Sequence, residues 1–223
     1  MREWEFRLCA DDVYRYLTRG GSGETDSRLL SDAQRVCDGV RAAATCRVAG
    51  REFAIDKQTD PPTLSGTQVR LDGDAIRLHL AQCESVYLFV ATLGGQVDGM
   101  IERLQVRNLA DAYLADTCAS LAIEDLCEQA SARIAEQCAA RQCSVTSRFS
   151  PGYGDFPLAA QGAILQAVQA DKILGVRLTR GDMMMPSKTV SALIGIGRGR
   201  IEKSGRCLTC PRKDVCKESL CSD

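Results

Sequence analysis

The sequence predicts an α+β fold in which helices pack on a mostly antiparallel, twisted sheet, as a single domain carrying a cysteine-rich C-terminal tail. Three observations lead there. Apolar residues at three- and four-residue steps, free of Gly and Pro, run through residues 108–141 and require a long core helix. A continuous apolar run over residues 86–92, closed by Gly94-Gly95, reads as a buried central strand. Helical and strand-like stretches otherwise alternate irregularly, without the cadence of a doubly wound sheet.

The elements follow in order. Residues 4–8 read as a short strand and 11–17 as a short helix with Asp11 as N-cap. Gly20-Gly-Ser-Gly23 is a loop, and 27–44 is helical through Leu29, Leu30, Ala33, Val36, Val40 and Ala43. Residues 45–55 carry two short β-like runs separated by Gly50, and Asp60-Pro-Pro62 is a turn. A helical stretch at 75–82 holds His79. In the long helix the apolar stripe is Leu109, Tyr113, Ala119, Ile123, Leu126, Ala130, Ile134 and Cys138. Residues 157–168 form a further helix and 189–196 a further strand. Gly195-Ile-Gly-Arg-Gly199 opens no helix within a βαβ unit, so it is a strand-end turn and not a dinucleotide fingerprint.

Composition narrows the function. Of 223 residues, 45% are apolar and 26% charged, which is globular usage. Twenty-eight basic residues against 29 acidic ones leave a net charge of -1, which exerts no overall pull toward nucleic acid or an anionic membrane. No apolar run approaches the roughly 20 residues of a membrane span. Met1-Arg-Glu-Trp-Glu-Phe6 places charges where a signal peptide is apolar. The expectation is a cytoplasmic protein. The single histidine, His79, excludes His-rich metal sites and reads as a hydrogen-bonded helix residue, which argues against a hydrolase. Of the twelve cysteines, Cys9, Cys37, Cys46, Cys83, Cys118, Cys127, Cys138 and Cys143 read as core thiols.

The densest run of unusual residues is Ser147-Arg-Phe-Ser-Pro-Gly-Tyr-Gly-Asp-Phe-Pro157. Pro151-Gly152 suits the centre of a type II turn, where glycine supplies φ > 0 and backbone amides stay open to a ligand. Arg148 offers a planar fork for a carboxylate or phosphate. Tyr153 and Phe156 offer flat faces for a heteroaromatic ring. These residues suit a small ligand with an anionic end and an aromatic end, and a plain surface loop beside an arginine would read the same way.

Arg148-x-x-x-Gly152-Tyr153 resembles the Arg-x-x-x-Gly-Tyr motif with which the activation domain of cobalamin-dependent methionine synthase binds S-adenosylmethionine. The resemblance continues in register through Ile-Leu-Gly-Val-Arg-Leu-Thr at 173–179, Met183-Met-Met-Pro186 and Thr189-Val-Ser-Ala192. Ala91-Thr-Leu-Gly94 and the long helix fit free-standing homologues of that domain. It covers residues 1–197, the expected domain, and is most specific over 148–192. It implies that Arg148 pairs with the ligand carboxylate, that Pro151, Gly152 and Tyr153 hold the adenosyl part, and that Glu124 on the long helix accepts from the ammonium, with Glu128 one turn on. In the family, the methyl group and one electron restore methylcobalamin from inactive cobalt(II). The cobalamin motif Asp-x-His-x-x-Gly is missing here, since Arg77 and Gln82 flank His79 at the required positions. The resemblance therefore implies a free-standing reactivation factor whose partners are a corrinoid-bearing methionine synthase subunit and an electron donor. Arg180-Gly181 departs from the family's Glu-Ser.

Residues 198–223 form a basic linker (Arg198, Arg200, Lys203, Arg206) and a tail with Cys207-x2-Cys210-x5-Cys216-x4-Cys221. Four thiolates suit Zn²⁺ or an iron–sulfur cluster, and the latter would fit a reaction that consumes an electron. Two other readings follow from the sequence: a redox or metal-binding module centred on this tail, and an independent S-adenosylmethionine-dependent methyltransferase.

Overall fold

A computed structural model describes residues 4–18, 26–199 and 201. Its elements are α1 (Ala10–Thr18), α2 (Ser27–Ala43), β1 (Arg47–Asp56), β2 (Thr63–Leu64), α3 (Asp74–His79), β3 (Ser85–Thr92), α4 (Gly95–Arg107), α5 (Leu109–Ala139), β4 (Cys143–Val145), α6 (Ala160–Ala167), α7 (Ala170–Leu174), β5 (Arg177–Leu178), β6 (Met184–Met185) and β7 (Thr189–Arg198). The fold is α+β, with an antiparallel five-stranded sheet in the order β2-β1-β3-β7-β4, packed helices, and a separate antiparallel pair of β5 and β6. No helix among the described residues is long and apolar enough to cross a membrane. The chain divides into two compact units, one of residues 1–48, 91–129 and 176–190, the other of 49–90, 130–175 and 191–223.

In the first unit α1 packs on α2, and α2 on α4. Asp26 caps α2, its carboxylate accepting from Arg28 N at 3.0 Å and Leu29 N at 3.1 Å. The N-cap of α1 is not Asp11, as expected, but Cys9, and Asp12 supports it. The helix starts earlier, so Asp12 reaches back to Cys9 N at 3.0 Å from the third helical position. Residues 4–8 are not a strand either. Phe6 and Leu8 are buried, but the backbone is met by side chains of α5: Arg7 N donates to Asp125 and Gln129 donates to Glu5 O. At the start of α5, Leu109 and Tyr113 stand 75% and 64% exposed, contrary to expectation. The rest of the expected stripe, Ala119, Ile123, Leu126, Ala130, Ile134 and Cys138, is buried as expected, and Ala112, Ala115, Cys118 and Ala122 join it. Helix α4 was unforeseen, with Val97 and Ile101 as its buried residues. Its Asp98 accepts from Ser187 N and Oγ at 2.7 and 2.6 Å. Cys37, Cys83, Cys118, Cys127 and Cys138 are buried thiols as expected, whereas Cys46 and Cys143 are half-buried and Cys9 is exposed.

The second unit holds most of the sheet. Gly50 does not separate two runs; it lies inside β1. A Cβ there would meet Tyr87 Cε1 at 2.5 Å and Leu88 O at 2.6 Å, so glycine permits the approach of β3. Gly195 and Gly197 likewise lie within β7 and not in a turn at its end. A Cβ on Gly195 would meet Cys83 Sγ at 2.5 Å and Leu80 Cδ2 at 2.6 Å, and one on Gly197 would strike Gln82 O. The segment following α3 therefore lies directly against β7. Burial pushes the Cys83 thiol up to about 11.

Candidate functional site

The arginine nominated from sequence lies beyond β4, where the chain continues beside β7. Val145 pairs with Ile196, yet Phe149 pairs with Leu193. Between these pairs, residues 146–148 stand opposite only 194–195, an irregularity of bulge type. Thr146 Oγ1 fills the break by accepting from Gly195 N at 2.9 Å. The extra residue resets the side-chain alternation just before Arg148. Arg148 ends 4% exposed.

The turn that follows has the geometry its residues imply. Tyr153 N donates to Ser150 O at 3.1 Å across Pro151-Gly152, and Gly152 has φ +90°, as the third position of a type II turn requires. Gly152 N then donates to Phe156 O at 2.8 Å. The turn is anchored on α3: Asp155 accepts from Asp74 N at 2.6 Å and Ala75 N at 2.9 Å. These backbone donors hold the Asp155 carboxyl below the usual carboxylate range. Contact is tight enough to require glycine on both sides. A Cβ on Gly73 (φ +119°) would meet Asp155 Oδ1 at 2.7 Å, and one on Gly154 (φ +55°) would meet Ala75 Cβ at 2.7 Å.

Beneath the turn lies an aromatic cluster. The Phe149 ring is 4.8 Å from His79, 5.7 Å from Tyr153 and 6.2 Å from Phe156. His79 is 7% exposed and its Nε2 lies 2.9 Å from Ser147 O, to which it donates. Burial holds its pKa below the ordinary histidine value despite this bond. It is the hydrogen-bonded helix residue that the sequence indicated. Phe156 departs from expectation: at 1% exposure it packs into the core and presents no face to a ligand. Tyr153 stays half-buried, Gly152 exposed and Pro151 buried.

Arg148, Pro151, Gly152 and Tyr153 thus come together in one short segment of the second unit. Glu124 is an exposed residue of α5 within the first unit, as is Glu128. Cys207, Cys210, Cys216 and Cys221 lie outside the described residues. Among the described residues, no group of three or more His, Cys, Asp or Glu side chains could hold a metal ion. Sequence reasoning overlooked Asp155 as the anchor of the turn. It also overlooked Ser147 and Ser150, whose hydroxyl oxygens are buried without a hydrogen-bond partner in the described structure. Both stand inside the run of residues 147–157 already singled out, which was the available signal.

No family model matches this chain. No curated protein matches it either. Its fold is similar to that of a solved structure, the crystal structure of the MetH reactivation domain bound to AdoHcy. The TM-score is 0.62 at 14% identity, over 91% of this chain and 83% of that one. At this identity the likeness establishes a shared fold.

Proposed function

We propose that this protein binds S-adenosylmethionine and its product AdoHcy, and supports reductive methylation of a corrinoid held by a partner methionine synthase subunit. One observation carries the reading. A buried arginine is delivered by a bulge to the foot of a Pro-Gly-Tyr turn, in a fold shared with a domain solved with AdoHcy.

In this reading Arg148 forks the ligand's α-carboxylate. A guanidinium does so bidentately where lysine offers a single point charge, and burial strengthens the contact by lowering the local dielectric. The open backbone at Gly152 admits the adenosyl part closely, and the anchor of Asp155 on α3 fixes the turn before the ligand arrives, which lowers the ordering cost of binding. When bound, S-adenosylmethionine supplies a methyl cation and leaves as AdoHcy; with one electron from a separate donor, that methyl converts a cobalt(II) corrinoid to its methyl form. The chain's own task is to hold the sulfonium ligand in place and present it. The terminal cysteines are proposed as the ligands of a zinc or iron–sulfur centre, of which only the iron–sulfur cluster would carry the electron.

Calorimetric titration of AdoHcy and S-adenosylmethionine into anaerobically purified full-length protein tests the reading. Wild type should bind both, and Arg148→Ala should bind at least about tenfold more weakly, as expected for a lost charged hydrogen bond. Glu124→Gln in the same titration tests the proposed acceptor for the ammonium. Equal affinity in wild type and Arg148→Ala would overturn the site.

A further inference from the structure

We infer that Ser150 is a second contact for the carboxylate end of the ligand, beside Arg148, an inference that rests on the adenosyl-ligand reading above. Ser150 is 8% exposed, and its hydroxyl oxygen is buried with no hydrogen-bond partner among the described residues. Its carbonyl is already used by Tyr153 N, so the hydroxyl is the group left over. Buried hydroxyls are nearly always paired, because an unpaired one forfeits its hydration for nothing. Alanine would fit the same space without that penalty.

The register explains why the chain itself offers no partner from β7. Phe149 pairs with Leu193, and side chains alternate along extended backbone, so Arg148 and Ser150 share the face opposite Phe149. On β7 the residues flanking Leu193 are Ala192 and Ile194, both buried and both without a polar side-chain atom. A hydroxyl donor beside a guanidinium, on an apolar floor, recognises an acceptor that brings two oxygens to one place. A carboxylate does so.

The test compares AdoHcy with methylthioadenosine, which keeps the adenosyl thioether and lacks the amino-acid end. Both are titrated into full-length wild type, Ser150→Ala, Arg148→Ala and Arg148→Lys, and each protein is melted without ligand. Ser150→Ala should bind AdoHcy about tenfold more weakly, bind methylthioadenosine as wild type does, and melt without ligand at an unchanged or higher temperature. Unchanged AdoHcy affinity in Ser150→Ala, with weakened binding in the Arg148 variants, would overturn this inference and leave the site standing. Equal losses on both ligands would overturn the assignment to the carboxylate. A lower ligand-free melting temperature would show the hydroxyl satisfied in the free protein and remove the premise. Absence of AdoHcy binding by wild type would instead overturn the underlying reading.

Discussion

Replacing Phe156 by alanine separates two roles that this ring could have. The side chain is 1% exposed, its ring centroid stands 6.2 Å from Phe149, and its backbone closes the turn through Gly152 N and Tyr153 O. Truncating a fully buried phenylalanine costs about 3–5 kcal/mol, from lost transfer energy and the cavity left behind. Native stabilities run at about 5–15 kcal/mol, so the loss is a large fraction of the total. With a urea slope of about 2–3 kcal/mol/M, the midpoint should fall by about 1–2.5 M. Urea unfolding followed by far-ultraviolet circular dichroism reads this directly. A loss under about 1 kcal/mol would refute the packing assignment. It would return Phe156 to the ligand-facing role that its position in the sequence implied.

Other consequences follow from the same geometry. Because burial lowers the pKa of His79, the unfolded chain takes up a proton below about pH 6.5 that the folded chain resists. Stability should therefore decline as pH falls from there toward the folded pKa, by at most about 1.4 kcal/mol per pH unit, and His79→Gln should flatten that decline. Matching pH slopes in the two proteins would contradict this. Gly50→Ala should cost about 1–3 kcal/mol, since the new methyl would press on Tyr87, on Leu88 O and on Phe89 Cβ at 2.9 Å; a melting temperature equal to wild type would refute the close approach. Arg35 is 55% exposed and pairs with an exposed Asp32 at 3.0 Å and with a more sheltered Asp111, 13% exposed, at 2.8 Å, so Arg35→Gln should cost about 1 kcal/mol, and less in high salt. A larger, salt-insensitive loss in chemical denaturation would show a structural role instead.

What could be read from the sequence was local. The continuous run of β3 and the long periodicity of α5 announce themselves because every residue of the element repeats the message. Pro151-Gly152 announces its turn because its backbone angles are intrinsic to the residues. Helix α4 escaped because Gly94-Gly95 stand at its start, Gly99 interrupts it and its buried stripe is narrow. Residues 4–8 misled because Phe6 and Leu8 are buried as in a strand, while the side chains that meet the backbone of Arg7 and Glu5, Asp125 and Gln129, lie more than a hundred residues away. The fate of Phe156 and the burial of Arg148 depend on register and on what packs beneath a turn. Both are tertiary properties that spacing along the chain does not carry.

The surplus residue between the two paired stretches, 146–148 against 194–195, has a consequence for how this segment can vary. Any one of these positions can change identity and leave the count intact. Removing one would set two residues against two and draw the ladder regular from Val145 to Phe149: Phe149 would keep its face beside Leu193, but the local bend that carries the chain out at Arg148 would be lost. At this place in the chain, length is under tighter constraint than composition. A one-residue deletion here should therefore displace Arg148 more than a replacement of Thr146 or Ser147 would.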